Sequence, residues 1–219
     1  MRLLAVLVAT SLVPSVAWAH PHIWISQHVR PIVTDGKFTH VEIEWRFDPM
    51  ASEEEIPPID EDNDGKLSAD EVKSLANDML PELRKKGFLT WLNIGAIDFR
   101  PPTMPTLNAR IDDPASFRPP DWNHDAGDKD AGMPMPRNKQ VEKAPPPVPR
   151  NLIYIMRFEL PQPVKSFTIT SYEQEDFVRI EVDKASLPAN CKLAKHPTYK
   201  SEFVPGRPVF ADKVSCQLP

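Results

Sequence analysis

The chain has 219 residues, with 26 Lys+Arg against 31 Asp+Glu, a formal net charge of -5, and 41% hydrophobic residues. That mild acidic excess makes the chain a poor candidate for electrostatically driven binding to nucleic acid or to an anionic membrane surface. Beyond the first nineteen residues no stretch approaches the roughly 20 consecutive apolar residues of a membrane-spanning helix.

The first nineteen residues read as a secretory signal. Arg2 starts them, residues 3–13 are a short apolar run, and Ala17-Trp18-Ala19 is the small-x-small pattern of a cleavage site. Cleavage there makes His20 the first mature residue and removes one basic residue and no acidic one, so the mature balance becomes -6. The expected product is exported, with no membrane insertion of the mature chain. Cys191 and Cys216 are the two cysteines, and an oxidising compartment makes a disulfide between them the natural reading. A loop of that size contributes roughly 3 kcal/mol in the chain-entropy account. No C-x-x-C supports a thiolate metal or redox site.

Residues 22–47 predict a β-hairpin around Asp35-Gly36. A two-residue turn sets Ile25 against Arg46, whereas a three-residue loop sets Ile25 against Phe47 and Val29 against Ile43. The second register keeps apolar partners on one face and is preferred. It puts His28 opposite Glu44 on the polar face. Val72, Leu75, Ala76, Met79, Leu80 and Leu83 then recur at helical spacing, predicting an amphipathic helix over 68–86 that stops at Gly87. Pro81 lies within it and is expected to kink or divide it near Met79. Residues 88–99 predict a strand or a second hairpin turning at 93–95.

Residues 101–150 carry about a dozen prolines and little apolar periodicity, so an exposed, irregular insertion is expected there. Strands return at 152–160, 164–172 and 177–182, separated by Pro161-Gln162-Pro163 and by the acidic turn 173–176. The fold class expected is α+β. A mostly antiparallel β-sheet carries a loop and helix after the first hairpin and a long proline-rich insertion, with 20–100 and 151–219 forming one domain.

The stretch DEDNDGKLSADE, residues 60–71, has the spacing of an EF-hand-like calcium loop. Calcium takes six to eight hard oxygens, and the ligand positions fall on Asp60, Asp62, Asp64, the Lys66 carbonyl, Ser68 and Glu71. Gly65 stands where the backbone turns sharply, and Leu67 where an apolar anchor belongs. The bland alternative is an acidic turn that caps the following helix. Pro57-Pro58 shortens any entering helix. The stretch 121–132 has Ala126 and Gly132 where a second loop needs glycine and glutamate, so no sensor pair is expected. A lone exported loop meets enough calcium to stay loaded and acts as a brace.

A mature chain opening His20-Pro21-His22 offers an amine and two imidazoles to copper, nickel, cobalt or zinc. Pro21 has no amide proton, which blocks the square-planar mode that uses a deprotonated second amide. His28 shares strand parity with His22, and His124 lies in a softer cluster with Asp125, Asp128, Asp130, Met133 and Met135. His28 and His124 are therefore candidate completing ligands. There is no G-x-S-x-G, no H-E-x-x-H and no phosphate-binding glycine loop, so no enzyme is expected.

HPHIWI at the cleavage site, the DGK hairpin leading to EWRFD, the DEDNDGKLSADE loop, GFLTWLNI, RFELPQPV and TSYEQEDFVRIEV together resemble an exported family, the domain of unknown function numbered 1007. The resemblance implies a periplasmic component of a transport system for nickel, cobalt or zinc, with a membrane transporter as partner. The chain departs from the family pattern in its proline-rich insertion and at residues 172–176, where the family more often shows a Tyr-Asp-Pro-like turn. The function expected is a periplasmic metal-binding accessory protein with a structural calcium loop. The alternative is a calcium-stabilised, β-rich interaction module whose histidines are incidental.

Overall fold

A computed structural model describes residues 23–95, 97–101, 103–112, 150–175, 177–204 and 207–219. It is mostly β-sheet with two helices, an α+β architecture. β1 (Ile23–Thr34) and β2 (Lys37–Phe47) form the first hairpin, closed by Asp35 and Gly36 at φ 49° and 69°. Both residues are left-handed, as a two-residue turn between right-twisted strands requires. Ile25 nevertheless pairs with Phe47, Val29 with Ile43 and His28 with Glu44, the apolar-matched register. A bulge reconciles the two: Val33 pairs with Phe38 but Ile32 pairs with His40, so Thr39 is the extra residue that shifts the ladder.

α1 (Pro49–Glu55) follows β2 at once. Asp48 caps it, its Oδ1 accepting the Met50 and Ala51 N–H groups and its Oδ2 the Trp24 N–H. α1 ends before Pro57-Pro58, as their fixed φ and missing donors require. α2 (Ala69–Lys85) starts at Ser68 in a capping box with Glu71 and carries Arg84 and Lys85 in its last turn. The expected division near Met79 does not occur; one helix runs through Pro81. Pro81 and Asn77 both lie on the exposed face of the helix, where a carbonyl that proline leaves unpaired is open to solvation at little cost. A 3-10 turn, Gly87–Leu89, then carries the chain into the core with Gly87, Phe88 and Leu89 all at positive φ.

β3 (Thr90–Ile94) and β4 (Ile97–Phe99) form the second hairpin. β5 (Thr106–Asp112) corrects the expectation of an irregular segment over 101–150: it is an edge strand on β6 (Asn151–Val164), with Ala109 opposite Tyr154. One neighbour and one wetted face left it without clear alternation. Residues 113–149 are therefore the connection between two adjacent antiparallel strands, and they lie outside the described residues. β6 runs past the expected break at Pro161-Gln162-Pro163. Its pairing with β2 jumps from Glu159–His40 to Val164–Phe38, so the prolines sit in an excursion opposite Thr39.

β7 (Ser166–Ser171) and β8 (Val178–Val182) lie where strands are expected. β9 (Cys191–Val204) and β10 (Arg207–Gln217) are a third long hairpin in what reads from sequence only as a tail. Cys191 and Cys216 face each other across it and are disulfide-bonded, Cα to Cα 4.1 Å.

The strands make two five-stranded sheets, ordered β5-β6-β2-β1-β8 and β4-β3-β7-β10-β9. Among the described residues, all pairings are antiparallel except β1 with β8. Val41, Ile43, Met156 and Phe158 of the first sheet and Leu92, Phe167, Ile169 and Val214 of the second fill one core. Phe38 meets Phe167 edge to face at 5.0 Å and Phe88 meets Phe158 at 5.6 Å. Among the described residues no helix is long and apolar enough to cross a membrane.

Candidate metal centre

The 60–71 loop hangs between the end of α1 and the start of α2. Asp60 is its anchor: its N–H donates to the Ile56 carbonyl at 2.9 Å, and the residue has no exposed surface. Its Oδ2 accepts from the Gly65 N–H and from Arg150 Nη1, both at 3.1 Å. Its Oδ1 is buried with no hydrogen-bond partner among the described residues. A fully buried carboxylate with an idle oxygen is costly unless something else fills that valence.

The rest of the loop folds around this residue. Asn63 and Gly65 adopt φ 57° and 82°, turning the backbone twice. Asp62 Oδ1 accepts from the Asp64 N–H at 3.1 Å and Asp64 Oδ1 from the Lys66 N–H at 2.8 Å. Glu71 Oε1 accepts from the Glu61 N–H at 2.8 Å, and Oε2 from the Ser68 N–H at 2.7 Å. The Ser68 donors lead in holding the Glu71 carboxyl below its usual pKa. One carboxylate oxygen each from Asp60, Asp62 and Glu71 converge within 4.8 Å of one another. Asp64 is not part of that group, and Ser68 spends its hydroxyl as the helix cap.

The histidines divide differently. His20, His22 and His124 lie outside the described residues. His28 stands on the outer face of the first sheet, Nδ1 3.9 Å from Glu44 Oε1 and Nε2 3.3 Å from Asp183 Oδ2. Burial, then the Arg46 guanidinium, pushes its pKa below 6.5 against the pull of those carboxylates. Glu44, itself buried, also pairs with Arg46 and with Arg110 at 3.3 Å, and Glu42 with Arg30 at 2.7 Å and Arg157 at 2.8 Å. His28 thus belongs to a charge ladder, and among the described residues it joins no group of three converging ligand atoms.

A second constellation escaped the sequence reading. Between the Lys195–Asp212 and Lys200–Phe210 pairs, β9 spends four residues, 196–199, against Ala211 alone. That bulge brings Tyr199 to Trp91 on β3, ring centroids 5.0 Å apart, although two strands lie between β9 and β3. Tyr172 stacks on Tyr199 at 5.1 Å and His196 at 4.0 Å, Arg100 lies 3.6 Å over Trp91, and the Tyr199 hydroxyl is 3.2 Å from Asp98 Oδ2. The signal available in sequence was Pro197, since within sheets proline is confined to edge strands and bulges.

A family model described as "Protein of unknown function (DUF1007)" matches residues 5–204. No curated protein and no solved structure matches the chain.

Proposed function

Since the chain belongs to the DUF1007 family of proteins of unknown function, we propose on its own residues that it is an exported, non-enzymatic accessory protein that binds metal. Calcium braces its 60–71 loop, and the histidines of its mature N-terminus take a transition metal for a membrane transporter. Two observations carry the calcium part: a carboxylate oxygen of Asp60 converges with those of Asp62 and Glu71, and Asp60 Oδ1 is buried without a hydrogen-bond partner among the described residues. A divalent ion ligated there supplies what the burial of Asp60 lacks. Asp64, the Lys66 carbonyl and Ser68, directly or through water, complete the oxygen set by position. Held by Asp60 at one end of the loop and Glu71 at the other, the ion joins the end of α1 to the start of α2. That makes it a brace and not a trigger.

For the transition metal, the support is chemical: one terminal amine and two imidazoles within three residues suit copper, nickel, cobalt or zinc. β1 begins at Ile23, whose N–H donates to the Phe177 carbonyl at 3.2 Å, so the first residue of the strand lies beside the acidic turn of Glu173 and Glu175. Nearby carboxylates favour a cation at that end.

The second reading, a calcium-stabilised interaction module with incidental histidines, draws on the Trp91, Tyr172 and Tyr199 group, because aromatic clusters are enriched in contact surfaces. The test is periplasmic expression with the N-terminus checked by intact mass, followed by elemental analysis of the wild type and of His20→Ala with His22→Ala. Loss of a transition metal with retention of calcium supports the accessory role. Unchanged metal content in the double variant favours the module.

A further inference from the structure

We infer that Arg150 is a built-in competing cation for the 60–71 loop and sets how tightly that loop holds calcium, an inference that rests on the calcium reading above. Asp60 has no exposed surface, so its charge needs a partner in every state of the loop. Arg150 Nη1, 3.1 Å from Oδ2, is that partner when no metal is bound. The Gly65 N–H assists at 3.1 Å but carries no net charge. When a divalent ion takes the idle Oδ1, the guanidinium and the ion share one carboxylate, and two positive charges oppose each other across it. Arg150 therefore stabilises the metal-free loop and destabilises the loaded one. Both effects weaken affinity.

The position of the guanidinium is fixed from two sides. A Cβ placed on Gly65 would come 3.3 Å from Arg150 Nη1, so the guanidinium rests directly against the turn of the loop. Arg150 also immediately precedes β6, which is held by β2 on one side and β5 on the other. The arginine side chain is 37% exposed, so solvent screens part of the repulsion and the effect is moderate. A weakened loop suits an exported compartment, where calcium at about 0.1 to 1 mM fills weak sites.

The test is calorimetric titration of the intact mature protein with calcium, for wild type, Arg150→Gln and Arg150→Lys, with melting curves in chelator and in saturating calcium. Arg150→Gln is expected to bind calcium about fivefold more tightly and to melt lower than wild type only in chelator. Arg150→Lys, which keeps the charge, is expected to stay within about twofold of wild type. An unchanged or weaker affinity in Arg150→Gln overturns the inference, as does failure of that variant to fold even in calcium. A wild type that takes up no calcium overturns the calcium reading itself, and is distinct from a wild type that binds while Arg150→Gln leaves affinity unmoved.

Discussion

His196 stacks its ring 4.0 Å from that of Tyr199 and, through Nδ1, accepts the Tyr199 backbone N–H at 2.9 Å and the Thr198 N–H at 3.1 Å. An imidazolium carries hydrogen on both nitrogens, so the bulge in β9 requires the neutral ring. Burial, opposed by Asp98 and aided by Lys213, lowers the His196 pKa from 6.5. His28 is lowered as well, again by burial first. In both cases the unfolded chain takes the proton first. The stability these neutral rings carry is fully present above pH 6.5 and is lost as pH falls through 6.5 toward the folded values. Near-ultraviolet circular dichroism from pH 8 to pH 5 checks this: the aromatic signal weakens in the wild type and stays flat in His196→Gln, whose amide oxygen accepts without titrating. A flat wild-type profile contradicts the role given to His196.

Calcium removal should soften the whole fold, because the loop ties two helices to the first sheet. At a hundred times the dissociation constant a ligand contributes about 2.7 kcal/mol, and roughly 2–4 °C accompany each kcal/mol in a chain of this size. Chelator should therefore lower Tm by about 5–10 °C. Asp60→Asn should abolish that difference, with a Tm in calcium close to that of the wild type in chelator. Melting curves of the two proteins with and without chelator decide it, and an Asp60→Asn protein still raised by calcium would place the ion elsewhere.

Gly87 is required twice over. Its φ of 59° suits glycine, and a Cβ there would lie 2.6 Å from Arg100 Cδ. Gly87→Ala is expected to cost about 1–3 kcal/mol in chemical denaturation and to displace Arg100 from Trp91. Gly36→Ala, with φ 69° but open space around the Cβ, should cost less than Gly87→Ala.

The disulfide joins directly paired residues of a hairpin that the ladder already holds. Cys191→Ser with Cys216→Ser should therefore cost about 2–3 kcal/mol, the lower part of the usual range, and leave the fold intact. Equilibrium unfolding of the double variant measures this; loss of folding altogether would show that β9 and β10 depend on the covalent link.

What was legible in the sequence was whatever repeated locally. The alternation of Val41, Ile43, Trp45 and Phe47 against Ile25 and Val29 fixed a register, and the spacing of Asp60, Asp62 and Glu71 pointed to three carboxylates that do converge. The turn itself was misjudged in mechanism, because the bulge at Thr39 lets a two-residue turn produce the register of a three-residue one. β5 and the β9–β10 hairpin were missed because edge strands and bulged strands bury one face irregularly. The cap at Asp48 had a usable signal in Asp48-Pro49. Arg150 had none: ninety residues separate it from Asp60, and only the pairing of β6 with β2 and β5 brings them together.

The most direct test of the calcium brace is elemental analysis of the mature protein purified from the periplasm without added metal, paired with calorimetric titration after chelation. The account predicts one calcium per chain, rebinding in the chelated wild type and no uptake in Asp60→Asn. A wild type that neither retains nor takes up calcium would contradict it, leaving the 60–71 loop a capped acidic turn.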